Sequence, residues 1–135
     1  MILIDTHVFA WIVWREPLAP AARSAIVAAS RSQAVFVSAV TPWELGILVA
    51  KKRIELGEKL ETWWADAIKS SGFEQLPLDA QSALASTQLP EPFHSDPADR
   101  FLVATARVHG LALVTADKSI LSYAKKGHVR AIRAR

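Results

Sequence analysis

The sequence predicts an α/β protein in which a parallel sheet of four or five strands is flanked by helices on both faces. Three observations carry this expectation. Short runs rich in Val, Ile and Leu alternate along the chain with longer stretches of helical period. The short runs are apolar throughout, as strands covered on both faces require, rather than alternating between apolar and polar residues. Several helical stretches begin next to proline or a capping residue, and two close on glycine, which suits helix ends.

In chain order, "ILI" at 2–4 is the first predicted strand, and "THVFAWIVW" starts a helix directly after Asp5. "PAARSAIVAASR" is alanine-rich and reads as a helix beginning at Pro20. "AVFVSAV" at 34–40 is the second strand, and "PWELGILVAKKR" after Thr41 is the next helix. "EKLETWWADAIKSS" is helical and stops at Gly72, while "FEQLPL" at 73–78 is the candidate fifth strand. "PADRFLVATARVHG" opens on a proline and closes on Gly110. "LALVT" at 111–115 and "VRAIR" at 129–133 complete the sheet, with a short helix between them capped by Asp117.

The 135 residues suit one domain, 1–135, with a core that needs no covalent staple. With 51% hydrophobic and 21% charged residues, the composition excludes disordered and fibrous classes. The absence of cysteine excludes a disulfide framework, a Cys-zinc site and a thiol nucleophile, and suits a reducing compartment, the cytoplasm. Asp5 and His7 interrupt the first apolar run, so no secretory signal is expected, and no uncharged stretch reaches the roughly 18 residues of a membrane span. The net charge is +3, and the positive charge is concentrated in "KKR" at 51–53 and in "KKGHVRAIRAR" at the end, which permits a polyanionic partner.

The acids carry the chemistry. Asp5 follows the first strand and can cap the helix after it. Glu44 lies three residues after Thr41, with Pro42 between, which is the pattern of a capping box. Asp99 falls in the first turn of a helix that Ser95 or Asp96 can cap, and the helix dipole favours an acid there. Asp117 follows the "LALVT" strand and can cap the final helix. Each acid alone has an ordinary capping explanation. In a parallel sheet, however, these helix starts face one side, where ligands of such sheets bind. Carboxylates converging there repel one another unless a cation sits among them, and Mg2+ or Mn2+ prefers oxygen ligands. Thr6 and Thr115 can add hydroxyls. The chain has neither the nucleophile elbow of a serine hydrolase nor a glycine-rich phosphate loop. His7 and His94 lie near candidate acids and read as local hydrogen-bonding groups rather than ligands.

With these residues in place, the chain resembles the PIN-domain family, and within it the VapC-type toxins of toxin-antitoxin pairs. The resemblance runs through "MILIDTHVFAW", "VSAVTPWELGI", "HSDPADRFLVATA" and "LALVTADKSIL". It implies a PIN-like parallel sheet and an acidic site of Asp5, Glu44, Asp99 and Asp117 that holds Mg2+ or Mn2+ and hydrolyses RNA phosphodiesters. It makes Asp96, Thr6 and Thr115 auxiliary residues. Under this reading Lys51, Lys52, Arg53 and Arg100 meet RNA phosphates, with Arg100 alternatively an ion-pair partner of Asp99. The resemblance further implies a cognate antitoxin and a homodimer. Two acid-pocket rivals fit less well. A HAD-like phosphatase wants a second aspartate where His7 stands, and a receiver-like domain wants an acidic pair near the first strand. A third alternative is a catalytically silent PIN fold that serves as a binding or regulatory module, its acids retained for capping.

Overall fold

The computed structural model describes residues 1–135. Its elements are β1 (Ile2–Ile4), α1 (Thr6–Val13), α2 (Pro20–Arg31), β2 (Val35–Ser38), α3 (Val40–Ala50), α4 (Leu60–Ser71), β3 (Glu74–Leu76), α5 (Ala80–Ser86), α6 (Pro97–His109), β4 (Ala112–Thr115), α7 (Lys118–Lys125) and β5 (Ala131–Arg133). The strands form one parallel sheet in the order β3-β2-β1-β4-β5. The fifth strand at 74–76 is present, as "FEQLPL" suggests.

The apolar runs divide their side chains between two cores, because successive residues of a strand point to opposite faces. Ile2 and Ile4 of β1, aligned with Val35 and Val37 of β2, face Val8, Phe9, Ala22, Ile26, Leu45, Trp63 and Ala67. Leu3, aligned with Phe36 and Leu113, faces Leu102, Val103, Ala106, Ile120 and Tyr123. Helices α1, α2 and α4 therefore cover one face, and α6 and α7 the other. This is why β1 tolerates no polar residue until it ends at Asp5. No helix is long and apolar enough to cross a membrane.

Two of the expected helix stops are realised. Gly72 and Gly110 adopt left-handed φ of 69° and 67° as the C-caps of α4 and α6. The expected start of α3 is not. The helix begins at Val40, with Ala39 as its N-cap, so Thr41 lies inside it and no capping box forms with Glu44. The reason is local: the Ser38 hydroxyl accepts the Val40 N–H at 3.0 Å and supports the chain's turn into the helix. It also shortens the second strand, which ends at Ser38 rather than running to Val40. At its other end α3 stops at Ala50, so the Lys51-Lys52-Arg53 cluster lies in the following turn, where Lys52 has φ of 56°. Helix α5, capped by Asp79, was not expected from the sequence; its seven residues offer too short a periodic pattern.

Phe9 is fully buried, with Trp63, Trp64 and Phe73 at ring-centroid distances of 6.1, 5.3 and 6.4 Å. Phe9→Ala is expected to cost about 3–5 kcal/mol in urea-induced unfolding followed by tryptophan fluorescence. A loss below about 1 kcal/mol would show that this aromatic cluster lies outside the cooperative core.

Candidate functional site

The strand order reverses between β1 and β4: from β1 the chain builds outward through β2 and β3, then crosses to the other side for β4 and β5. Connections leaving the two central strands diverge and open a crevice beyond their carboxyl ends. A cavity of about 300 Å³ lies there, lined by Asp5, Thr6, His7, Trp11, Glu44, Asp96, Asp99, Leu102, Ala116 and Asp117. Five of these residues are acidic. No Lys or Arg lines the cavity.

Each acid arrives from a different piece of local structure. Asp5 ends β1 and caps α1, accepting the Val8 N–H at 2.9 Å through Oδ1. Its Oδ2 accepts a hydrogen bond from the Thr115 hydroxyl at the end of β4. The Thr115 oxygen in turn accepts the Asp117 N–H at 3.0 Å, and Asp117 caps α7 through Ile120 N–H at 2.9 Å. A continuous chain of hydrogen bonds thus ties the ends of the two central strands together. Asp96 caps α6 by accepting from Ala98 at 2.9 Å and more loosely from Asp99 at 3.4 Å. Glu44 and Asp99 cap nothing. Glu44 projects from the first half of α3 and Asp99 from the first turn of α6.

Thr6 donates to Thr41 at 3.3 Å, both hydroxyls being buried, which locks α1 against α3 on the Glu44 side. Thr41 is thus a joint between helices rather than a cap, a role that only the packing reveals. His94, by sequence a local hydrogen-bonding group, has its Nε2 3.1 Å from Asp99 Oδ2. Trp11 forms a wall of the cavity, with the Arg135 guanidinium 3.7 Å above its ring. One turn before Trp11 on the same helix face, His7 lies beside it.

The site is electrostatically strained. Burial pushes the Asp5 carboxyl up to about 6, against the hydrogen bonds from Thr115 and Val8, and Glu44 adds to the rise. Asp5 is only 7% exposed. Asp99 is pushed up to about 7, first by burial and then by the charges of Asp117, Asp96, Glu44 and Asp5. The contact with His94 does not reverse this. An oxygen-rich cavity with crowded carboxylates and no lysine or arginine in its lining is the donor chemistry that suits a hard divalent cation.

The basic residues divide. Lys51 and Arg53 line a second groove, of about 530 Å³, that shares His7, Glu44 and Asp96 with the acidic cavity. Lys52, though exposed, is not among the residues lining it. Arg100 points away from the expected role of phosphate contact or partner to Asp99: its guanidinium donates to the carbonyls of Ser86 at 2.9 Å, Phe93 at 3.0 Å and His94 at 3.4 Å. It straps the loop before α6, because that loop leaves carbonyls that need donors. At the C-terminal end, Arg135 is held by Glu16 at 2.7 Å and by Trp11, and Arg130 donates to the Gly110 carbonyl.

The PIN domain family matches residues 2–126. Ribonuclease VapC22 of Mycobacterium tuberculosis (strain ATCC 25618 / H37Rv) is 33% identical over 125 residues, 90% of this chain and 91% of that protein. Among solved structures, VapBC2 from Rickettsia felis bound to a DNA fragment from its promoter superposes with a TM-score of 0.71 at 15% identity, over 100% of both chains. DNA-bound VapBC from Salmonella typhimurium gives 0.67 at 19% identity, over 98% of each chain. FitAcB from Neisseria gonorrhoeae gives 0.64 at 24% identity, over 98% of this chain and 96% of that one. At these identities the structural likenesses establish the shared fold.

Both raised carboxyls hold protons more tightly in the folded chain than in the unfolded one. Their contribution to stability is therefore present below about pH 4 and is lost as pH rises through their folded values near 6 and 7. Asp99→Asn, which mimics the protonated form, is expected to raise stability in EDTA at pH 8 by roughly 1–3 kcal/mol, with the gain fading towards pH 4. Thermal melts across that range check this. A variant less stable than the parent at pH 8 would show that the ionised Asp99 is satisfied within the metal-free fold.

Proposed function

The chain belongs to the PIN domain family, and we propose that it is a divalent-metal-dependent endoribonuclease acting as the toxin of a type II toxin-antitoxin pair. The observation that carries this reading is that Glu44 and Asp99 reach the acidic cavity without capping any helix. Capping accounts for Asp5, Asp96 and Asp117. It does not account for two more carboxylates crowded into the same cavity at a cost to the metal-free fold.

In this reading Asp5, Glu44, Asp99 and Asp117 hold Mg2+ or Mn2+, with Asp96, Thr6 and Thr115 in support. Bound there, the cation supplies Lewis-acid stabilisation of the scissile phosphate and makes a water a competent nucleophile near neutral pH. The protein's own contribution is positioning. The cap hydrogen bonds from Val8 and Ile120 and the Thr115 bridge fix the rotamers of Asp5 and Asp117, so little reorganisation is left for the reaction. Lys51 and Arg53 border the groove that opens beside Glu44 and Asp96, which suits a backbone of phosphates leading into the cavity. Exposed Lys52 adds charge at the same corner.

Residues 1–135 act as one PIN-like domain in this reading. Its partners are an RNA substrate, a cognate antitoxin and a second copy of the chain, all in the cytoplasm. The relatives named above support the antitoxin, because the two VapBC structures carry both components of such a pair in their names. A silent PIN-fold binding module is the competing reading, and the uncapped acids weigh against it.

Purified protein free of antitoxin is expected to cut total cellular RNA at discrete positions with Mg2+ or Mn2+, and to stop with EDTA. Asp5→Ala and Asp99→Ala should each lower the cleavage rate on the order of 100-fold or more while remaining folded by circular dichroism. Mapping the fragment ends identifies the RNA. Undiminished cleavage by both variants would remove these residues from the site, and no cleavage by the folded, metal-loaded parent would favour the binding module.

A further inference from the structure

Resting on the reading of the acidic cavity as a metal centre, we propose that His94 is a ligand of that centre, making it a mixed nitrogen and oxygen site with Asp99 and Asp117. His94, Asp99 and Asp117 each offer one ligand atom, and these atoms lie within 4.8 Å of one another. The His94 Nε2 to Asp99 Oδ2 distance of 3.1 Å is close to the separation of two adjacent ligands of an octahedral ion, about 3.0 Å for bonds of about 2.1 Å. The hydrogen bond between the two side chains therefore stands where two coordination bonds fit, and Asp117 offers a third ligand oxygen within 4.8 Å of both.

His94 is also held in place, as a ligand must be. Its own Nδ1 faces the Asp96 N–H at 3.4 Å, which leaves Nε2 directed at Asp99. Its ring lies against Phe93 with centroids 4.4 Å apart, and Phe93 lies against Tyr123 at 4.7 Å. The Tyr123 hydroxyl donates to the Pro90 carbonyl, and His128 pairs with Glu91 at 2.9 Å. Arg100 binds the carbonyls of Phe93 and His94. Four separate contacts thus anchor the loop "LPEPFHSDP" that carries one imidazole to the edge of the cavity. An exposed loop needs no such anchoring to neutralise one carboxylate. Fixing the outer partners of a ligand is how metal sites gain affinity and selectivity.

An imidazole in the ligand set shifts preference away from Mg2+, which favours oxygen, towards first-row transition ions such as Mn2+. The test uses Mn2+ alone as the probe on the full chain. Electron spin echo modulation of bound Mn2+ is expected to show directly coupled nitrogen in the parent protein and in His7→Ala, and to lose it in His94→Ala. Titration should find Mn2+ binding about 10-fold to 100-fold weaker in His94→Ala, and Mg2+ binding changed less. His94→Gln, which keeps a polar group of similar reach, controls for collapse of the loop, and melting curves confirm that each variant is folded. Tight Mn2+ binding without nitrogen coupling overturns the role of His94 and leaves the carboxylate centre standing. Coupling that survives His94→Ala or vanishes in His7→Ala assigns the nitrogen elsewhere and also overturns it. An absence of Mn2+ binding to the folded parent would overturn both the role of His94 and the metal centre itself.

Discussion

The site depends on one constraint: β1 is paired in parallel on both sides, with β2 and with β4. Parallel pairing sends every strand's carboxyl end to the same edge, so the loops that follow β1, β2 and β4 and the start of α6 meet there. The reversal of strand order at β1 keeps that edge from being covered by a crossing helix. Without the β1 and β4 pairing, Asp5 and Asp117 would have no reason to share a cavity, since 112 positions of sequence separate them. The Thr115 hydroxyl makes this pairing chemical as well as topological, because it bonds Asp5 with its proton and the Asp117 amide with its oxygen.

The acids do two kinds of work with opposite effects on stability. As caps, Asp5, Asp96 and Asp117 satisfy helix N–H groups that would otherwise lack partners, each contributing about 1 kcal/mol. As neighbours, they raise the cost of ionising Asp99, and Glu44 adds to that repulsion with no compensating cap. Helix dipoles offset part of this, since four helices present their positive ends near the cavity. The two apolar cores on either face of the sheet stabilise the fold against this repulsion.

The loop before α6 gives a second example of structure spent on position. Arg100, which a motif comparison would send to the substrate, is used internally, and the aromatic series Phe93, Tyr123 and His128 holds the same segment from the other side. Lys51 and Arg53, just beyond the end of α3, are left to line the groove beside the acidic cavity. Charge available to a polyanion is set by which cations the fold leaves uncommitted rather than by how many it contains.

The sequence by itself determined the class of fold, all five strands, the two glycine stops and the five acids that line the cavity, because each of these rests on local signals: apolar runs of strand length, left-handed helix ends and acids at helix starts. It could not separate capping from chemistry, since a carboxylate near a helix N-terminus looks the same in either role. Only the tertiary structure showed that Thr41 joins Thr6 instead of capping α3, that α5 exists, that Arg100 is consumed by backbone carbonyls, and that His94 touches Asp99. Apart from α5, whose seven residues are too short a pattern to read, the physical reason is common: each depends on which groups the packing brings within hydrogen-bond range, and that is a property of the assembled layers rather than of residue type.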